Sequence, residues 1–167
     1  MNIGQLQKWI VAGENPSSMW NAARTATASI VSYQVARLFH LPEAYWALVS
    51  TLIVMQSSLG AALPVSVQRF AGTAAGAAVG AAATYFPGNI WVFAMAVFLL
   101  GVLCSVLRVE RSAYRYASIT LAIIMLVTRS ASGWLIAMHR FFEVSLGIAV
   151  GLMLSGLWPE RQSKARL

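Results

Sequence analysis

The sequence predicts an all-α membrane protein of about six transmembrane helices, arranged as a 3+3 inverted repeat with short broken or re-entrant segments. Three observations lead to this prediction. The chain has an excess of apolar residues, it contains six apolar stretches of about helical length, and it matches itself at a shift of 71 residues.

The composition is far more apolar than that of a water-soluble domain. Hydrophobic residues make up 59% of the 167 residues and charged residues 10%, and the mean hydropathy is +0.68. Soluble domains contain roughly 45–50% apolar and about 25% charged residues. A membrane helix needs about 20 mostly apolar residues. The candidate spans are 18–39, 43–57, 69–86, 89–107, 113–128 and 138–158. The second and fifth are short, so five spans is an open alternative.

The positions of the charges decide what the net charge of +7 means. A basic chain could bind nucleic acid, but these charges lie at the ends of apolar stretches. With the N-terminus in the cytoplasm, only Arg37, Arg129 and Arg140 lie outside and the other nine basic residues lie on or near the inner side. This asymmetry predicts a multi-pass protein of a bacterial inner membrane with cytoplasmic termini, and no nucleic-acid partner. All six tryptophans lie at or just outside the ends of the stretches, where their rings could contact lipid headgroups.

The chain is predicted to form one transmembrane domain over residues 1–167. Residues 1–16 form an N-terminal interfacial segment, in which 2–11 has one apolar helical face; a frayed tail is the alternative. The first repeat covers 17–87, the second covers 88–159, and 160–167 is a basic cytoplasmic tail. Cys104 is the single cysteine, which excludes a disulfide within one chain.

The internal repeat rests on pairs of matching residues. Gln68-Arg69-Phe70 aligns with His139-Arg140-Phe141, and Trp20 aligns with Trp91. Three helices in each copy would reverse the second copy relative to the first, as in many transporters and channels. The alternative is coincidence in a sequence rich in alanine and glycine.

Two segments, 56–64 and 127–134, are too broken for a regular span and too apolar for an exposed loop. Irregular backbone at membrane depth needs a covering of protein or a water-filled cavity. We therefore expect a helix break and a short in-plane or re-entrant helix in each, with Pro64 in the first turn of one of these helices. Ordinary surface loops are the alternative.

Small residues four positions apart predict close helix packing. They occur in both halves of the chain, as Gly72, Gly76 and Gly80 and then as Gly147 and Gly151.

Two arginines suggest an anionic cargo. Arg69 and Arg140 are repeat mates that open the glycine-containing spans, so they are predicted to lie at opposite ends of a pathway. Guanidinium groups attract carboxylates and can form two hydrogen bonds to one of them. The alternative is that both arginines are anchors at helix ends.

Glu143 lies three residues after Arg140 and four after His139, so all three share one helix face. A carboxylate and an imidazole at that place could carry protons, and an ion pair that only neutralises Arg140 is the alternative. A third metal ligand is missing near His139 and Glu143, and no catalytic motif occurs. The sequence thus predicts no enzyme, cofactor or metal site.

A longer pattern begins with Tyr45-Trp46-Ala47-Leu48-Val49-Ser50 and continues through Met55-Gln56 and Gly60-Ala61. It ends with Arg69-Phe70-Ala71-Gly72-Thr73-Ala74-Ala75-Gly76 and Val79-Gly80. This pattern resembles the fusaric acid resistance or aromatic acid exporter family. Family members often have proline after the glutamine, where this chain has Ser57, and many have a second six-helix unit or a soluble domain.

The resemblance implies an inner-membrane exporter of aromatic or other organic carboxylates, related to plant malate channels whose membrane units form dimers. Its expected partners are the lipid bilayer and a small organic anion, and we expect a homodimer or another homo-oligomer. The predicted substrate-binding residues are Tyr45, Gln56, Ser57, Ser58, Arg69 and Arg140. A non-transporting membrane subunit that packs against a partner protein is the second hypothesis, and a membrane-embedded enzyme is the third.

Overall fold

The computed structural model describes residues 19–55, 59–86, 89–127 and 132–158, and all regular secondary structure within these ranges is α-helical. The prediction of an all-α protein is confirmed for this part of the chain. Predicted features at 1–16, 56–58, 128–131 and 160–167 lie outside the described residues. The six helices are α1 (Met19–Leu38), α2 (Tyr45–Met55), α3 (Leu59–Ala83), α4 (Ile90–Val106), α5 (Arg111–Leu126) and α6 (Gly133–Leu157).

The helices differ in their capacity to cross a membrane. Among the described segments, α6 alone has both the length and the apolar composition of a spanning helix, while α2 and α4 are apolar but shorter. Membrane crossing by the other helices stays a prediction. Large apolar side chains are nevertheless exposed along the bundle, including Phe98 and Leu99 on α4 and Val67 on α3. An outer surface of this kind suits contact with lipid better than contact with water.

Two helices of the bundle, α3 and α5, pack closely against each other. Gly76 lies so close to α5 that an added Cβ would meet the carbonyl oxygen of Ala117, and Gly80 lies against the side chain of Ile124. Gly72 contacts α5 near Ala113, so the two helices run parallel. Small residues allow this approach because nothing separates the two backbones.

A second parallel pair joins α6 to α2 in the same way. A Cβ added to Gly147 would meet the carbonyl oxygen of Ala47, and Gly151 lies against Val54. The Thr51 hydroxyl donates to the carbonyl oxygen of Gly147 at 2.9 Å, which adds a polar contact between the two helices.

The two parallel pairs meet where α3 crosses α6. The rings of Phe70 and Phe141 lie 5.1 Å apart between their centroids, and Ala77 packs with Ile136 and Ala137 further along. Residue numbers rise along α3 as they fall along α6, so these two helices are antiparallel. This crossing forms the centre of the bundle.

The remaining helices, α1 and α4, pack on the outside of the pairs. α1 contacts α2 and α6, and α4 contacts α5 and α3. Arg24 of α1 is buried and donates from Nη2 to the Ser155 hydroxyl of α6 at 3.1 Å. α4 begins after Asn89, whose side chain accepts hydrogen bonds from the backbone N–H groups of Trp91 and Val92 and so caps the helix.

Both outer helices end in the same kind of turn. His40 follows α1 with a φ of 54°, and Arg108 follows α4 with a φ of 53°. This left-handed conformation is costly for residues with a side chain and is typical of helix C-termini. The turn after α1 leads into α2 through Pro42 and Glu43.

The prediction of separate re-entrant helices is wrong for the described parts of both segments. Residues 59–64 belong to α3, and Pro64 lies within that helix and not in its first turn. Proline has no backbone N–H, so Pro64 removes the hydrogen bond to the carbonyl of Gly60 four residues earlier. In the second segment, Gly133 and Trp134 are the first residues of α6.

We expect Gly76→Ala and Gly147→Ala each to lower the thermal stability of the detergent-solubilised protein. An added methyl group would meet backbone carbonyl oxygens that cannot move away, at a cost of about 1–3 kcal/mol. The measurement is the melting temperature by circular dichroism. Gly156→Ala is the matched control, because nothing lies within 4 Å of its added Cβ. Equal melting temperatures for all three variants would contradict the close packing.

Candidate functional site

A small cavity lies at the centre of the bundle, between α2, α3, α5 and α6. Its volume is about 20 Å³, which is room for one water molecule. We call it the arginine cavity, because both predicted arginines line it. Its lining residues are Trp46, Arg69, Thr73, Tyr116, Ile119, Thr120, Ile123, Arg140 and Val144.

Arg69 reaches the arginine cavity from the middle of α3. Its side chain is buried, and its Nε and Nη2 atoms donate to the Ser50 hydroxyl of α2 at 3.2 and 3.1 Å. Its guanidinium lies over the Tyr116 ring at 5.0 Å from the ring centroid, a favourable cation–π distance. Within the described residues, no carboxylate lies within 4 Å of Arg69. The charge of this arginine is therefore held by neutral groups.

Arg140 reaches the same cavity from α6, with different partners. Its guanidinium lies 3.6 Å from the centroid of the Trp46 ring, and its Nη2 atom lies 3.4 Å from Oε2 of Glu43. Its Nη1 atom lies 4.0 Å from Oε2 of Glu143, three residues further along α6. Arg140 is thus neutralised by two carboxylates, in contrast to Arg69.

Glu143 links α6 to the turn before α2. Its side chain is fully buried, and its Oε1 atom accepts a hydrogen bond from the backbone N–H of Glu43 at 2.8 Å. A buried carboxylate needs such donors and a nearby cation to stay charged. Glu143 therefore both faces Arg140 and holds the backbone of Glu43 in place.

The prediction that Arg69 and Arg140 lie at opposite ends of a pathway is wrong. Both line one cavity at the centre of the bundle. The reason is that α3 and α6 begin well before the two arginines, which therefore lie inside their helices. The antiparallel crossing at Phe70 and Phe141 then brings the two adjacent arginines to the same level.

The other predicted site residues are placed less centrally. Tyr45 is exposed and contacts the Trp46 ring at 5.5 Å, so its neighbour and not Tyr45 itself lines the cavity. His139 is half-buried, and within the described chain no hydrogen bond joins it to Glu143. Gln56, Ser57 and Ser58 lie outside the described residues.

Sequence reasoning missed three residues of the site: Glu43, Trp46 and Tyr116. Trp46 was assigned to the lipid interface, yet its ring lies under the guanidinium of Arg140. The sequence contains one indication that Glu43 belongs to the site: it is one of only five acidic residues and lies two residues before an apolar helix. Tyr116 could have been identified from the repeat, because it is the repeat mate of Tyr45, a predicted substrate-binding residue.

A larger and more open cavity, of about 590 Å³, lies near the turn between α4 and α5. Its walls include Phe98 and Val102, and Arg108, Arg111 and Tyr114 lie at its polar end. It is separate from the arginine cavity, with which it shares no lining residue.

Comparisons with known proteins agree with the pattern in the sequence. The profile described as fusaric acid resistance protein-like matches residues 30–154. The chain is 30% identical over 151 residues to the inner membrane protein YeeA of Escherichia coli, which covers 84% of this chain and 41% of YeeA. It is 24% identical over 143 residues to the inner membrane protein YccS of the same organism, which covers 85% of this chain and 20% of YccS. The chain thus spans less than half the length of these relatives. No solved structure matches it.

The different partners of the two arginines predict different costs of removal. We expect Arg140→Met to lower the unfolding free energy by roughly 3 kcal/mol, because it leaves the buried Glu143 without its nearest cation. Arg69→Met should cost less, since the Ser50 hydroxyl keeps its hydrogen bond to the carbonyl oxygen of Trp46 and no buried carboxylate within 4 Å loses its partner in the described chain. The measurement is denaturant or thermal unfolding in detergent. Combining Arg140→Met with Glu143→Gln should recover part of the loss, and no recovery would contradict the pairing.

Proposed function

We propose that this chain, which belongs to the fusaric acid resistance protein-like family, is an inner-membrane transporter or channel for small organic anions that exports aromatic carboxylates. It is proposed to bind its cargo at the arginine cavity. The proposal rests on the surroundings of Arg69: its guanidinium is buried, and no carboxylate lies within 4 Å of it in the described chain.

A buried, uncompensated cation is costly in a membrane protein. Placing an arginine at the centre of a membrane helix costs at least about 2.5–3.5 kcal/mol, and such residues mark ion or substrate pathways. Ser50 and Tyr116 stabilise Arg69, but neither of these neutral groups balances its charge, and no carboxylate of the described ranges lies within 4 Å of it. An anionic cargo would supply the missing charge and could accept two hydrogen bonds from the guanidinium.

The size of the arginine cavity indicates a closed state. About 20 Å³ holds one water molecule and is far smaller than a benzoate ion. Transport therefore requires the parallel pairs α3–α5 and α2–α6 to move relative to each other. Transporters built from inverted repeats commonly move one helix bundle against another around a central site. Here each moving bundle would contain one helix from each repeat.

The contacts support the inverted repeat that we propose for this motion. The contact of Gly76 on α3 with Ala117 on α5 resembles that of Gly147 on α6 with Ala47 on α2. Arg69 lies over Tyr116 as Arg140 lies over Trp46, although the residues of α2 and α5 match at a shift of 70 and not 71. Phe70 and Phe141, which are repeat mates, touch each other, as residues on a pseudo-two-fold axis must.

The inner-membrane location rests on the names of both relatives and on the charge asymmetry of the sequence. We further propose a multi-pass topology with cytoplasmic termini. We also propose that the chain forms a homodimer or another homo-oligomer, as the family resemblance implies.

The test of the arginine assignment is benzoate flux into liposomes at pH 8, with protein-free liposomes as the measure of passive leak. We expect Arg69→Ala to lower the flux roughly ten- to a hundredfold, the value of one or two charge-assisted hydrogen bonds. Arg140→Ala should also lower it, and Arg69→Lys should retain part of it.

Arg115→Ala is the matched control, because Arg115 is an exposed arginine next to Tyr116 that does not line the cavity. Unchanged flux in both Arg69→Ala and Arg140→Ala would refute the role of the arginines.

Proton coupling through Glu143 and His139 is a further part of the proposal, supported by the burial of Glu143 beside Arg140. Benzenesulfonate stays ionised and cannot itself carry a proton across the bilayer. We expect its flux to be accompanied by proton movement, detected by a pH-sensitive dye inside the liposomes. Glu143→Gln should abolish the proton signal. Proton movement that persists in this variant would exclude Glu143 as the carrier.

A further inference from the structure

The site already contains carboxylate groups of its own, and one of them is placed where a cargo would bind. We infer that Glu43 occupies the position on Arg140 that the carboxylate of the cargo takes during transport. Glu43 is then a specificity-determining residue next to the arginine cavity, through its ion pair with Arg140, and the cargo binds by displacing it. This inference rests on the proposed function.

The surroundings of Arg140 leave few other places for an anion. The Trp46 ring covers one face of the guanidinium at 3.6 Å, and Glu143 lies along one edge at 4.0 Å. Glu43 is the closer of the two carboxylates, with its Oε2 atom 3.4 Å from Nη2. The side chain of Arg140 is only 2% exposed. An incoming carboxylate therefore meets the guanidinium where Glu43 now lies.

Of the two carboxylates, Glu43 is the one that can leave. It belongs to the turn between α1 and α2, and 13% of its side chain is exposed. Glu143 lies within α6, and its side chain is 1% exposed. The Glu43 side chain thus has the greater access to solvent of the two. Glu143 can meanwhile keep its hydrogen bond to the backbone N–H of Glu43, which holds the turn in place.

The neighbouring side chains favour an aromatic carboxylate as the displacing group. Trp46 lies directly against Arg140, and the Tyr45 ring lies 5.5 Å from the Trp46 ring. A ring attached to a carboxylate on Arg140 would thus have two aromatic side chains next to its binding position. Aromatic pairs contribute beyond the apolar area that they bury.

The test is the equilibrium binding of benzoate to the purified full-length protein in detergent at pH 8, by isothermal titration calorimetry. We expect Glu43→Gln to bind benzoate about tenfold more tightly than the wild type. A tenfold change means that Glu43 occupies Arg140 in roughly nine of ten unliganded molecules, because apparent affinity scales with the competent fraction.

Two further variants sharpen the measurement. Glu43→Asp keeps the charge but shortens the side chain, so its affinity should lie between those of the wild type and Glu43→Gln; it also serves if Glu43→Gln does not fold. Glu110→Gln removes an exposed carboxylate that is not one of the two carboxylates near Arg140, and it should leave the affinity unchanged. A purely structural role for Glu43 would lower stability without tightening binding.

The outcomes separate this inference from the proposed function. Tighter binding in Glu43→Gln, with Glu110→Gln like the wild type, supports both. Saturable binding to the wild type that is unchanged or weaker in Glu43→Gln and Glu43→Asp overturns the displacement by cargo and leaves the proposed function standing. Absence of saturable binding in the wild type and all variants overturns both.

Discussion

The need to stabilise two guanidinium groups in an apolar interior determines the arrangement of the four central helices. Arg69 and Arg140 are both buried, and each lies over an aromatic ring from a neighbouring helix. Those rings come close because glycines let the helices approach: Gly72, one turn after Arg69, contacts the residues around Tyr116. The close packing and the polar site are therefore one structural feature, since a wider helix separation would leave the arginines without their rings.

The charges of the two buried arginines are stabilised by different groups, and this difference suggests different roles in anion binding. Arg69 is held by a hydroxyl group and a ring, so its positive charge persists in the cavity. Arg140 is balanced by Glu43 and Glu143. Arg69 can thus attract an external anion, whereas Arg140 already faces carboxylates of the protein. The family match over residues 30–154 includes all of these side chains. It does not include Arg24, another buried arginine, or its hydrogen-bond partner Ser155.

Much of the helical arrangement could be predicted from local patterns in the sequence. Apolar stretches predicted the six helices, and the spacing of residues such as Gly76 and Gly147 predicted seams between them, because both patterns depend on neighbouring positions. The partners of the arginines could not be predicted in this way. Trp46 and Glu43 lie near Arg140 only because α2 packs parallel to α6, a contact between residues almost a hundred positions apart. The start of α3 also differs from the expectation: the small residues and Pro64 of segment 56–64 predict a break, yet residues 59–64 belong to this helix.

The left-handed conformation of His40 has a consequence for the turn that carries Glu43. A residue with a side chain loses about 1–2 kcal/mol in this conformation relative to the right-handed one. The turn between α1 and α2 is thus under torsional strain, and contacts at its far end, including the bond from the Glu43 amide to Glu143, must offset it. When those contacts weaken, the strain favours rearrangement of the backbone. Glu143 therefore couples the conformation of this turn to the charge balance around Arg140.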